Sequence, residues 1–338
     1  MTAARLTYAR EELLRSHDYA RPHRVAGRSL HGGFDAEGRY LPPRTLLRAP
    51  AVAAWTEALR ARGGDRLAAD ASLLAGVRSP NLAQHRLLLQ SGLGQTFWNQ
   101  LSITGKIEAR GRLLGEIAFP DLREFVFEDI SEMAIGHLNR GLLEAHGLDE
   151  GGTRDAGGHD VMWFALRDLA FGAVDYPDPE VPERITREEP ARRFPEIPGA
   201  VERTLEFLAN LLLIEFRAEI GFSVAERLLR DPELFAGRRA EAVEAAELVC
   251  RIRRDEEIHV ASLRLYLGEL RLVRLRTRGG DGLPGAAVID PIWNALARWA
   301  TVEQPPLAAA QLRGVLRERV LRHRDGERLW SAFEALAD

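Results

Sequence analysis

An all-α fold is what this sequence predicts, and three observations predict it. Few stretches alternate apolar and polar residues over six positions, so strand signals are scarce. Ala, Leu, Arg and Glu instead dominate long segments in which apolar residues recur every three to four positions. Proline and glycine cut those segments into two long pairs separated by a proline-rich connection. With 338 residues and 46% apolar content the chain can bury a large core.

Residues 1–90 read as an amino-terminal arm with short helices that packs on a core built later. His17 to Arg44 holds Gly27, Gly32, Gly33, Gly38, Pro42 and Pro43, which predicts irregular backbone, and a helix is expected at Ala51 to Arg62, after Pro50. The run from Arg28 to Asp35 is glycine-rich but lacks the Gly-Lys-Ser/Thr of a phosphate loop, so a turn is expected there. Residues 91–276 carry the core. A first long helix is expected from Gln95 to Phe119, ended by Pro120, and a second from Asp121 to His146. Residues 147–200 form a crossover: a short helix from Asp160 to Phe171, whose start His159 marks, then Pro177, Pro179, Pro182, Pro190, Pro195 and Pro198. A third helix fits Val201 to Arg230, stopped at Asp231-Pro232, and a fourth fits Arg239 to Arg276, stopped by Gly279-Gly280. Two helical hairpins joined by one long connection make a four-helix bundle. Residues 277–338 add a carboxy-terminal extension, helical around Pro291 to Thr301 and Pro306 to Ala337.

Composition narrows the partners. The 46 basic and 50 acidic side chains leave a formal charge of -4, so no overall basic field argues for nucleic acid. The longest near-continuous apolar run, Phe207 to Ile214, falls far short of the roughly 20 residues of a membrane helix. The amino terminus lacks the apolar core of a signal peptide, and a cytoplasmic location is expected by default. Cys250 is the only cysteine, which leaves His, Asp and Glu as metal ligands.

The chemistry is concentrated where apolar stripes are interrupted. In the fourth helix Val249, Ile252, Leu263, Leu267 and Leu270 define a buried face, and Glu256 and His259, three apart, fill the slots it skips. Burying such a pair is unfavourable without a strong partner. The third helix is interrupted by Glu215 and Glu219; Glu215 lies twenty residues before a turn near residue 235 and Glu256 twenty-one after it, so the two meet at one level. In the first hairpin Glu108 and Glu132 lie twelve residues on either side of Pro120, and Glu108 continues the line Leu101, Thr104, Glu108, Gly111, Gly115. His137, five residues past Glu132, would align with it through a π-bulge near Gly136.

With these residues the chain resembles the ferritin-like diiron carboxylate superfamily, whose signature is Glu, Glu-x-x-His, Glu, Glu-x-x-His on successive bundle helices. The resemblance covers residues 95 to 275 and implies two iron ions, with manganese as the alternative, held by Glu108, Glu132, His137, Glu215, Glu256 and His259. The first half carries Glu-x-x-x-x-His in place of the usual spacing. The long crossover resembles the oxidase and reductase-subunit branch. The resemblance implies an oxidoreductase that activates dioxygen to oxidise a small organic substrate, with an electron-donor protein and a homodimer as further expectations. Two other readings use the same residues. One is a manganese or mixed-metal bundle that handles peroxide. The other is a non-enzymatic helical protein whose inward Glu and His form a salt network with Arg217, Arg251 or Arg254. Glu144 is a rival partner for His137, and Cys250 and Tyr266 are read as packing residues.

Overall fold

The computed structural model describes residues 5–76, 80–183, 185–187 and 192–337. Most of them are helical, and five short strands accompany the helices. In chain order the arm contains α1 (Arg10–Leu13), β1 (Arg21–Val25), β2 (Arg28–Phe34), β3 (Tyr40–Leu41) and α2 (Arg48–Ala61). The core follows with α3 (Leu82–Gln90), α4 (Gln95–Gly111), α5 (Leu143–Gly151), α6 (His159–Phe171), α7 (Gly199–Arg230) and α8 (Arg239–Leu272). The extension contains β4 (Arg274–Arg276), β5 (Gly282–Pro284), α9 (Ala286–Arg298), α10 (Gln304–Leu321) and α11 (Gly326–Glu334). No helix among the described residues is long and apolar enough to cross a membrane.

The third and fourth expected helices are present as α7 and α8, joined by a short turn through Phe235, and they pack along one another. α8 also packs on α6, α6 on α4, and α5 on both α4 and α6. One apolar cluster takes Leu13 and Trp55 of the arm, Leu212 and Leu263 of the α7–α8 pair and Ile289 of α9, so arm and extension share the core rather than decorate it.

Four expectations change. The fourth helix ends at Leu272 instead of Arg276, because Arg274–Arg276 pairs as a strand with Gly282–Pro284. The helix predicted from Asp121 to His146 does not form: a 3-10 turn at Ala134–His137 runs into an irregular π-type turn at Leu138–Leu142, and helix resumes only at Leu143. Gly141 has φ +111, outside helical space, which breaks the segment. The first predicted helix ends at Gly111 instead of Phe119, passing into a 3-10 turn at Arg112–Gly115. The run from Arg28 to Asp35, expected as a turn, holds the central strand of an antiparallel three-stranded sheet, β1-β2-β3. That strand is pinned to the start of α6: the His31 amide donates to the Gly157 carbonyl at 2.8 Å, and the Gly157 amide to the Ser29 carbonyl at 3.0 Å.

The broken segment also needs an acceptor for buried amides that a continuous helix would have paired. Glu269 of α8, 2% exposed, supplies it, accepting from the Ala134 amide at 3.1 Å and the Ile135 amide at 2.9 Å. Burial raises the Glu269 carboxyl to about 7 despite these bonds. Folded chains therefore hold a proton that unfolded chains release, and Glu269 contributes stability that is full below about pH 4.5 and lost as pH rises through about 7. Melting curves across this window should show a steeper loss in the wild type than in Glu269→Gln. Glu269→Ala, which strands two buried amides, should destabilise by about 2–4 kcal/mol.

A candidate dinuclear metal centre

Five helices converge on one buried set of carboxylates and imidazoles. α4 supplies Glu108; α5 supplies His146 and Glu150, four apart on one face; His159 is the first residue of α6; α7 supplies Glu215; α8 supplies Glu256 and His259, three apart. All seven are buried. The approach of α5 to α4 depends on Gly111, where a Cβ would overlap the Glu150 side chain.

The set falls into two overlapping groups of four, His146, Glu150, Glu215, His259 and Glu108, Glu150, His159, Glu256, and in each one ligand-type atom per residue lies within 4.8 Å of all the others. Glu150 belongs to both. Its Oε1 is 3.4 Å from His146 Nε2 and 3.2 Å from His259 Nδ1, while its Oε2 is 3.5 Å from His159 Nδ1. In the first group His146 Nε2 is 3.0 Å from Glu215 Oε1, and the His146 ring stacks on His259 with centroids 3.8 Å apart. In the second, His159 Nδ1 is 3.0 Å from Glu256 Oε1 and 3.8 Å from Glu108 Oε2. Glu256 spans the groups through its other oxygen, 2.6 Å from His259 Nδ1.

Two imidazoles are oriented from behind by aspartates. Asp149 Oδ2 lies 3.1 Å from His259 Nε2, and Asp255 Oδ2 lies 3.3 Å from His159 Nε2, so both rings turn Nδ1 towards the glutamates. The arm completes this layer. Arg44 donates to Asp149 at 2.7 Å and Arg48 pairs with the same carboxylate. His31 Nε2 and the Tyr40 hydroxyl meet Asp255 Oδ2 at 3.1 and 2.9 Å.

Charge in this volume is heavily constrained. Burial and the neighbouring Glu150 raise the Glu108 carboxyl well above the usual range, and burial with Glu256 raises Glu215 to about 7. Burial opposes charge on His259 and His159, yet Glu256 and the carboxylates beside it hold both imidazoles well above their ordinary value. Burial likewise opposes a charge on Asp149, but Arg48 and Arg44 hold it well below the carboxylate range. The side chains fit a pair of cations. Among the described residues His146 Nε2 and His159 Nδ1, both buried, find no hydrogen-bond partner although a carboxylate oxygen lies 3.0 Å from each. Lone-pair atoms at that separation without hydrogen-bond alignment share a focus, as ligands of one ion do. Four glutamates would also balance two divalent charges.

Of the six residues singled out in the sequence, Glu108, Glu215, Glu256 and His259 come together. Glu132 and His137 do not join them. Glu132 lies in the broken segment with a largely exposed side chain, 3.9 Å from Arg62. His137 is buried elsewhere, its Nδ1 2.9 Å from the Met133 carbonyl, its Nε2 accepting from the Tyr8 amide at 3.3 Å, its ring against Trp55. Both assignments needed a continuous helix through residues 121 to 146, but between Asp121 and Met133 the chain forms only a 3-10 turn at Leu122–Glu124 and a bridge from Val126 to Leu275. Glu144 instead pairs with Arg10, and Glu219 is exposed. Arg217, Arg251 and Arg254 donate to the Ile185 carbonyl, His23 Nε2 and the Tyr40 carbonyl, none of them to the buried glutamates.

The residues not anticipated are His146, Glu150 and His159 as inward groups. A signal for them exists. The pair Asp149-Glu150 on α5 repeats Asp255-Glu256 on α8, each with a histidine three or four positions away, and each aspartate orients an imidazole carried by another helix. Comparison with protein-family profiles, with curated proteins and with solved structures found no match to this chain.

Proposed function

We propose that this chain is a ferritin-like dinuclear metalloprotein that binds two iron ions, or manganese in their place, and activates dioxygen to oxidise a small organic substrate. The observation that supports it most is the pair of buried four-residue groups sharing Glu150. Glu108, Glu150, His159 and Glu256 would hold one ion, and His146, Glu150, Glu215 and His259 the other. Carboxylate and imidazole without thiolate suit iron and manganese. In the ferritin-like reading α4, α5 with α6, α7 and α8 stand for the four bundle helices, with His159 brought in by a separate helix.

A bound iron pair would supply the electrons for dioxygen reduction, which the side chains cannot. The chain's own residues do the rest. Asp149 and Asp255 fix the His259 and His159 rings so that little reorganisation accompanies loading. Arg44 and Arg48 keep Asp149 ionised, which retains its orienting bond to His259. The arm covers the aspartates and keeps bulk water off them, since His31 and Tyr40 are both buried.

Elemental analysis of protein expressed with iron and manganese supplied tests this reading. Two ions per chain are expected, with dioxygen consumed after reduction; consumption of peroxide alone would favour the peroxide-handling alternative. A chain with neither metal, unchanged in melting temperature by chelator, would leave the buried groups as a salt network.

A further inference from the structure

A cavity of about 680 Å³ opens beside the cluster between α4, α7, the crossover and α10, with Glu108 in its lining. Among the described residues its wall is mostly apolar, including Ile107, Ile185, Ile214 and Leu312, with one cation, Arg217, among these side chains. The guanidinium is half-buried, rests on Trp299 with its carbon 4.8 Å from the ring centroid, and donates to the Ile185 carbonyl at 3.1 Å and to Gln304 Oε1 at 3.5 Å. Among the described residues no carboxylate pairs with it. An arginine has five N–H donors in a planar fork that fits a carboxylate, and neutral oxygens leave most of that capacity unused.

We infer that this cavity binds an amphipathic organic carboxylate, its anionic head on Arg217 and its apolar body along Ile107 and Ile214 towards Glu108. An apolar wall with one convergent charged group is the usual make-up of a small-molecule site: the wall supplies affinity, and the charge fixes which end goes in first. A neutral chain would leave the guanidinium unpaired, and an amine would repel it. The direction of the chain rests on the dinuclear reading above, because that reading makes Glu108 the reacting end; binding of the head to Arg217 does not depend on it.

Decanoate, decanol and decylamine, titrated calorimetrically into the metal-supplied full-length protein with metal content measured on the same samples, test the inference. Decanoate should bind at least about tenfold more tightly than decanol, as expected for a charge-assisted hydrogen-bonded pair, and decylamine more weakly still. Arg217→Gln should erase the preference for decanoate over decanol while metal content stays at the wild-type level. Ala218→Trp, which fills the cavity without altering its charge, should abolish binding of both. Equal affinity of the wild type for decanoate and decanol overturns the inference, as does an undiminished preference in Arg217→Gln. A protein free of metal that still binds decanoate through Arg217 would sink the dinuclear reading alone, and a metal-loaded protein indifferent to decanoate would sink this inference alone.

Discussion

Glu150→Ala should leave the purified protein with neither ion, whereas Glu108→Ala or Glu215→Ala should weaken mainly one. Glu150 is common to both four-residue groups, with one oxygen facing His146 and His259 and the other facing His159. Glu108 and Glu215 each belong to a single group. Removing the shared carboxylate takes a ligand and a negative charge from both positions at once, and the remaining imidazoles lie around a pocket with one fewer anion to hold cations. Metal per chain, measured after the same loading for each variant, gives the ordering. A Glu150→Ala protein that still carries two ions would refute the proposed ligand arrangement.

Asp149→Ala should cost about 3–5 kcal/mol of stability, the largest loss expected from a single truncation in this structure. Asp149 is 1% exposed, and among the described residues it is the one carboxylate paired with Arg44 and Arg48, which are 6% and 2% exposed. Taking it away leaves two guanidiniums in a dry interior. It also frees His259 Nε2 and so the ring whose Nδ1 faces Glu256. Asp149→Asn keeps the shape and part of the hydrogen bonding and should fall between the two. Chemical denaturation with chelator present isolates this effect from metal binding, and a loss below about 1 kcal/mol would show that the arginines find other acceptors.

Half of the cluster was legible in the sequence because long helices carry periodicity. Glu215, Glu256 and His259 interrupt apolar stripes on α7 and α8, and counting from their shared turn set them level. For Glu108 the structure replaces the reason: its spacing matches it with Glu132 across Pro120, whereas it lies with Glu150 and His159. Glycine hid the rest. The expected crossover begins at residue 147, which leaves Glu150 outside the helices, whereas α5 runs on to Gly151, and at Gly111 the missing side chain lets α5 press its Glu150 against α4. A sequence window cannot tell a glycine that ends a helix from one that admits a neighbour. The strand β2 was missed likewise: Gly32 and Gly33 sit beneath Tyr40 and Tyr19, where a Cβ would collide with the rings, so they mark close packing within a sheet rather than a turn.

The hydrogen bond from His31 to Asp255 joins residues 224 positions apart. The arm leaves the ribosome before its aspartate partners are made, since Asp149 follows Arg44 by 105 positions and Asp255 follows His31 by 224. Arg44 and Arg48 therefore wait for a counter-ion, and the rings of His259 and His159 gain their fixed orientation only when the two ends of the core close. On the dinuclear reading proposed above, the full ligand set with its oriented rings would exist only once arm and α8 have met, so a partly made chain would offer glutamates but no finished cage.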